Sequence, residues 1–223
     1  RNGKMRYMEN KNEKITRKMQ AEQMREKLQT VVFDMAQTKA LDDIRIKDIA
    51  EAANISVGNF YQYFDSREAA LIYSYKTKDD IWEKLNLEKI ENPLERIERM
   101  VVVHLSSMIE NSLCFDTQLY IAQLKQYEEY FFTSDRYIHK MMENTISEGQ
   151  EKGEFIKRLT SREIRMRILN FSRGLVYNYC VEHKEDPEGW IMHALELQTE
   201  YMSLFVTEPD KLDLYKHLKE VRK

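Results

Sequence analysis

The stretch Ile46-Lys47-Asp48-Ile49-Ala50-Glu51-Ala52-Ala53-Asn54-Ile55-Ser56-Val57-Gly58-Asn59-Phe60-Tyr61-Gln62-Tyr63-Phe64-Asp65-Ser66-Arg67-Glu68-Ala69 decides the fold. Ile46, Ile49 and Ala53 keep helical spacing until Asn54, which suits a left-handed stop because Asn tolerates positive φ. Ser56 is a good N-cap for a second short helix, Val57 to Phe64. Two short helices joined by so brief a turn cross steeply only where the crossing residues are small, and Ala50 and Ala53 supply that. Ile46, Ile49, Ile55, Phe60 and Phe64 then face inward, leaving Gly58, Asn59, Tyr61, Gln62 and Tyr63 outside. Two tyrosines with no Lys or Glu make a poor solvated face. They make a good DNA-reading face: Asn and Gln pair bidentately with adenine, Tyr hydroxyls reach phosphate, and glycine lets the backbone come close. The spacing alone leaves a second reading open, a structural helix pair with two half-buried tyrosines.

Outward from this stretch the chain reads as all helix. Its 223 residues hold only 6 Gly and 3 Pro, no sustained apolar/polar alternation and no Asn-Gly or Asp-Gly hairpin turn between apolar runs, while helix formers abound. A helix is expected from about Ala21 to Thr38, carrying Met24, Leu28, Val31, Val32 and Met35. Asp65, with Glu68 three residues on, suggests the cap of a further helix. Asn92-Pro93, Thr160 with Glu163, Asp186-Pro187 and Glu208-Pro209 suggest other starts, and Gly149 and Gly153 bracket the end of a seventh helix. Mean hydropathy is −0.66, and the densest apolar run, Met100 to Val103, is far too short to span a bilayer. The charged first residues argue against a secretory leader. Cys114 and Cys180 have no metal or redox spacing and fit a reducing cytoplasm.

Charge is unevenly placed. The net value is −3, yet residues 1–27 hold nine Lys/Arg against four Glu, a local +5 that leaves −8 for the remainder. A basic arm on an acidic body steers one end toward phosphate; a merely solvated tail explains the arm equally well.

The run from Ile46 to Ala69 closely resembles the DNA-binding domain of the TetR family, and the likeness extends over about residues 21–75. Its core, Ser-x-Gly-x-Phe-Tyr-x-Tyr-Phe-x-Ser-Arg-Glu, is specific. Ser147 to Phe155 resembles the family's seventh-helix ending more weakly. The resemblance implies an N-terminal helix-turn-helix unit (residues 1–66) and a helical regulatory and dimerisation unit (67–223). It implies DNA contacts at Ser56, Gly58, Asn59, Tyr61 and Tyr63, base edges faced by Val57 and Gln62, and a phosphate grip at Arg67. Arg45 stands where the family usually has Thr or Ser, and an Arg reaches the same phosphate. Residues 28–66 carry three Lys/Arg against six acids, so phosphate affinity must lean on dimerisation, Arg67 and the arm.

In the body, the helix near 162–182 has Ile164, Ile168, Phe171, Leu175 and Tyr179 on one face, with Met166, Leu169, Val176 and Cys180 elsewhere. The helix near 187–206 is likewise apolar on two sides, with Ile191, Leu195, Met202 and Phe205 opposite Trp190, Leu197, Tyr201 and Leu204. Such helices need burial twice. A second subunit supplies it most simply, with Ser172 and Gly174 permitting close approach; a large monomeric core is the alternative. His104 shares a stripe with Ile97, Val101 and Met108, and Tyr120 one with Leu124, Tyr127 and Phe131. Such residues are commonly plain core. Because the resemblance implies an effector pocket in this region, His104, Met108, Tyr120 and Tyr127 are taken as its candidates, with Trp82 and Tyr177 behind them. The mix suits a largely apolar or aromatic ligand.

The expected function is a cytoplasmic, homodimeric repressor that leaves a palindromic double-stranded operator when a small molecule binds. The alternative is a DNA-binding adaptor on the same fold that answers to a protein partner. No enzyme, cofactor or metal site is expected: the five histidines show no ligand pairing, and nucleophile and phosphate-loop motifs are missing.

Overall fold

Most helices begin where a side-chain oxygen meets the first free backbone amides. Asn92 accepts from the Glu95 amide, Ser112 from Phe115, and Asp186 from Gly189. Thr160 and Glu163 form a full capping box: the Glu163 amide donates to Thr160 Oγ1 at 3.2 Å and the Thr160 amide to Glu163 Oε2 at 2.8 Å. The computed structural model describes residues 2–77, 82, 85–126, 133, 136–182 and 186–221, with side chains described at all of these except 2–16, 74–77, 108–109 and 220–221. Among them the helices are α1 (Asn2–Ala36), α2 (Ile46–Ala53), α3 (Val57–Phe60), α4 (Arg67–Thr77), α5 (Pro93–Ile109), α6 (Leu113–Lys125), α7 (Tyr137–Lys152), α8 (Ser161–Glu182), α9 (Pro187–Met202) and α10 (Leu214–Val221). The only extended pairing among the described residues is one antiparallel bridge, Phe155 with Val206, which ties the end of α7 to the end of α9.

Four boundaries differ from the sequence reading. The first helix starts at Asn2 rather than near Ala21, because the arm is rich in Lys, Arg, Glu and Met, which propagate a helix without apolar periodicity. The recognition helix is α-helical only over Val57–Phe60 and continues as a tight turn through Tyr63, whose amide donates to the Phe60 carbonyl. Ser66, not Asp65, caps α4: its Oγ accepts from the Ala69 amide at 3.0 Å. Glu208-Pro209 opens only one 3-10 turn, and the helix beyond it starts after Asp213, whose carboxylate accepts from the Lys216 amide. Gly153 does end α7, at φ 79°. Gly149 lies inside the helix, where a Cβ would come within 2.5 Å of the Phe155 ring.

Two apolar cores result. One joins α1–α4 through Leu28, Val32, Leu41, Ile49, Phe60, Phe64 and Leu71, and it also takes in Phe115, Leu119 and Ala122 of α6. The other fills the body between α5, α7, α8, α9 and α10. At about 1.5–3 kcal/mol for each fully buried large apolar side chain, these two clusters hold the fold together. Helix α6 therefore has one side in the N-terminal core and reaches the body by the other. Its Leu124, grouped by spacing with Tyr120, is instead 83% exposed, since a helix apolar on several sides does not declare which side is covered.

Candidate nucleic-acid interface

The turn between α2 and α3 is built as its residues dictate. Asn54 takes the left-handed conformation, φ 56° and ψ 48°, and its amide returns to the Ala50 and Glu51 carbonyls. Lys27 of α1 donates to the Ala53 carbonyl at 2.6 Å, placing a cation at the negative end of α2. That use takes Lys27 out of the basic arm. Ser56 Oγ accepts from the Asn59 amide at 3.1 Å and fixes the start of α3. Beneath, Phe60 and Phe64 are buried, with ring centroids 6.1 Å apart, while Ile46 and Ile55 are half-buried.

The surface this leaves matches the outer face read from spacing. Ser56, Val57, Gly58, Tyr61 and Gln62 are exposed, and Asn59 and Tyr63 are half-exposed. Tyr61 stands edge-on to Phe60 with its side chain 52% exposed. The Arg25 guanidinium lies 6.0 Å from the centre of the Tyr63 ring, so α1 delivers a cation beside this face. Spacing did not single out Arg25, because that contact depends on how α1 crosses the pair.

The two arginines singled out by resemblance are placed differently. Arg45 precedes α2, is exposed, and clasps Asp48 with contacts of 3.0 and 2.8 Å; that bond, first of all, holds the Asp48 carboxyl below the usual carboxylate range. Arg67 turns back under the fold. Its guanidinium donates to the Ile44 carbonyl at 2.9 Å, the Asp42 carbonyl at 3.2 Å and the Asp42 carboxylate at 2.7 Å. Lys125 of α6 reaches the same Asp42 carboxylate at 2.8 Å, and its hydrogen bond is the main reason that carboxyl sits below the usual range. With the Leu41 amide donating to Gln118 Oε1 at 2.8 Å and Ser66 Oγ to Gln126 Oε1 at 3.1 Å, α6 is tied to the loop before α2 and to the foot of α4. The sequence reading missed this tie, since it joins residues 60 to 83 positions apart.

In the body, His104 of α5 is buried and its Nε2 has no partner. Burial, then the charges of Arg173, Arg136 and His139, push it down to about 3. Tyr120 of α6 donates through its hydroxyl to the Arg173 carbonyl at 3.0 Å and meets the Tyr177 ring edge-on. Trp82 is buried in the body core. Met108 and Tyr127 lie outside the described side chains. Sequence reading also missed His139 and Arg136, at the start of α7, although the apolar stripe Ile138, Met142 and Ile146 beside them was a signal that this side of the helix is buried.

The outer sides of α8 and α9 correct another expectation. Leu169, Val176 and Cys180 of α8 and Trp190 of α9, assigned to a second face, are buried within the chain. Ser172 is fully buried and donates to Gln198 Oε1 of α9 at 2.9 Å. The apolar residues and glycine that remain outside on α8, among exposed polar ones, are Met166, Gly174, Tyr177 and Val181, with Met192 on α9 and, just past its end, Leu204.

A short helix pair braced by two flanking helices, with a capped second helix outward and a second helical core behind, is a helix-turn-helix fold, an arrangement used by DNA-binding proteins. Residues 34–73 match the family model for bacterial regulatory proteins of the tetR family. That match runs from the end of α1 into α4, the helix-turn-helix unit. Solved structures share the fold at low identity. RolR in complex with resorcinol superposes with a TM-score of 0.61 at 16% identity, over 92% of this chain and 96% of that one. A TetR transcription regulator from Haloarcula marismortui gives 0.62 at 15%, over 83% and 100%. FadR from Bacillus subtilis in complex with stearoyl-CoA gives 0.58 at 18%, over 77% and 96%. No curated protein matches. Among the described residues no helix is long and apolar enough to cross a membrane, and no group of His, Cys, Asp and Glu could hold a metal ion.

Proposed function

We propose that the protein is a cytoplasmic repressor that binds a palindromic operator as a two-fold dimer and leaves it when a small, largely apolar effector occupies the body. The observation that carries the DNA half is the exposed set Ser56 to Tyr63, held rigid by the Ser56 cap and the buried Phe60. Asn59 and Gln62 read base edges, with Val57 against them, and Gly58 lets the backbone approach. Ser56, Tyr61, Tyr63 and Arg45 contact phosphate or sugar and set the register. Arg67 acts by fixing the loop that carries Arg45, with any phosphate contact left to its outer edge. The basic residues of α1 add sequence-independent attraction.

The dimer forms through the apolar stripe left outside on α8, Met166, Gly174, Tyr177 and Val181, with Met192 and Leu204 beside it. A Cβ on Gly174 would meet nothing within 4 Å, leaving room for a facing helix. The effector lies among α4 to α8, against His104 and Tyr120, with Met108 and Tyr127 proposed beside them. RolR and FadR, which share the fold and were solved in complex with resorcinol and stearoyl-CoA, support this reading. Release runs through α6 as well as α4, because α6 holds Asp42 and Leu41 from one side and Arg173 from the other. An effector that prefers the released state about tenfold, near 1.4 kcal/mol, suffices to shift an even mixture.

The test is fluorescence anisotropy on operator and random duplexes. Tyr61→Phe should weaken both alike, whereas Asn59→Ala and Gln62→Ala should lose about 1–3 kcal/mol on the operator alone. Equal loss on both duplexes by all three would overturn the assignment of base-reading residues.

A further inference from the structure

His104 of α5 and His139 of α7 are both buried in the body within electrostatic reach of each other, and each leaves a buried ring nitrogen unmet. Both residues are more than nine-tenths buried, and neither Nε2 has a hydrogen-bond partner. A buried polar atom left so is a standing cost, which a bound group can relieve. The two nitrogens differ in kind. The Thr133 carbonyl accepts from His139 Nδ1 at 2.7 Å, so the proton of the neutral ring sits there and Nε2 is a bare acceptor. No such bond fixes the His104 ring, whose Nε2 is open to carry its proton and donate. One acceptor and one donor together match an oxygen that both gives and receives a hydrogen bond. The described charges acting on both rings are guanidiniums, Arg136 and Arg173, with Arg165 also acting on His139 while it holds Glu143 at 2.7 Å. A field of that sign favours an oxygen that carries or develops negative charge.

We propose that His104 and His139 hold an acidic oxygen, a carboxylic acid or a phenolic hydroxyl, at the polar end of an effector whose apolar body lies against Val101, Met142 and Tyr120. The assignment rests on the effector reading above and sharpens its chemistry. A phenol brings its own proton and donates it to His139 Nε2 while accepting from His104. A carboxylate arrives ionised at pH 7, so His139 Nε2 takes a proton from solvent and the pair is imidazolium with carboxylate.

Four probes distinguish these cases: decanoate with its blocked partner methyl decanoate, and 4-pentylphenol with 4-pentylanisole. Titration calorimetry on the full chain should show at least one acidic probe binding about tenfold or more tighter than its blocked partner. In His104→Leu, and in His139→Asn, which keeps a donor for the Thr133 carbonyl, that preference should collapse, while the thermal midpoint of unliganded His104→Leu does not fall. Repeating the titration in buffers of different ionisation enthalpy should give uptake of about one proton for decanoate and about none for the phenol. If a blocked probe binds as tightly as its acid and still releases DNA, the acidic-group assignment fails and the effector reading stands. If the preference survives both substitutions, these histidines are the wrong site. If no probe binds or releases DNA, both readings are overturned.

Discussion

Between Leu41 and Ile72 every buried side-chain nitrogen and oxygen among the described residues has a partner, and the interior is Leu, Ile, Ala and Phe. In the body, His104, Ser106, His139 and Gln198 each bury a polar atom that meets none. The first region spends its polar groups on caps and turns: Ser56, Asn54, Ser66, and the Arg67 fork on the loop before α2. It is made to hold one shape, as a surface that must present several side chains in register requires. The second leaves polar atoms unmet inside an apolar shell, which suits an interior that gains stability when something enters it. On the proposed function, rigidity belongs to the reading end and responsiveness to the body.

The contrast breaks most visibly at Phe60. Phe60→Ala empties the centre of the N-terminal core and should cost about 3–5 kcal/mol, read as a large fall in the thermal midpoint with loss of DNA binding. The body should respond oppositely. His104→Leu removes an unmet polar atom, and the free protein should gain about 1–3 kcal/mol by denaturant titration; a loss of that size would mean that the imidazole is satisfied by a water.

Acid sharpens the same point. His104 and His139, held down to about 3 and about 4, stay neutral in the fold but charge on unfolding once pH drops below the ordinary value of 6.5. Stability they support is full above pH 6.5 and drains as pH falls toward their folded values, by up to about 1.4 kcal/mol per pH unit for each ring. His104→Leu should flatten that slope between pH 6.5 and 4. Ser56→Ala is smaller, about 0.5–2 kcal/mol from a lost cap, and should weaken operator binding more than it lowers the midpoint. Least in stability is Asp42→Asn, which slackens the grip of Lys125 and Arg67. It should leave the melt nearly unchanged and reduce the effector's ability to release DNA, measured as operator affinity with and without effector.

The helix-turn-helix was legible because its signals are local. Asn54 as a stop, Ser56 as a cap and the inward Ile49 and Phe60 each act within a few residues, and α2 falls at Ile46–Ala53 as read. The recognition helix was read too long because Tyr61 to Tyr63 keep its spacing while their backbone tightens into a turn. The body was less legible. Helices α8 and α9 are apolar on several sides, and only packing reveals that Leu169, Val176 and Trp190 face inward while Met166, Tyr177 and Val181 do not. The tie from α6 to Asp42 and the electrostatic reach of His139 to His104 depend on the packing of residues tens of positions apart, which no periodicity carries.

The central claim, that residues 56–63 of two protomers read one operator, is tested most directly by selecting binding sites from a pool of random duplexes. The account predicts an inverted repeat whose half-sites lie about one helical turn apart, roughly 34–36 Å between recognition helices when bound. It further predicts that Gln62→Ala relaxes the same position in both halves. Enrichment of no sequence, or of a single unpaired half-site that Gln62→Ala leaves unchanged, would contradict it.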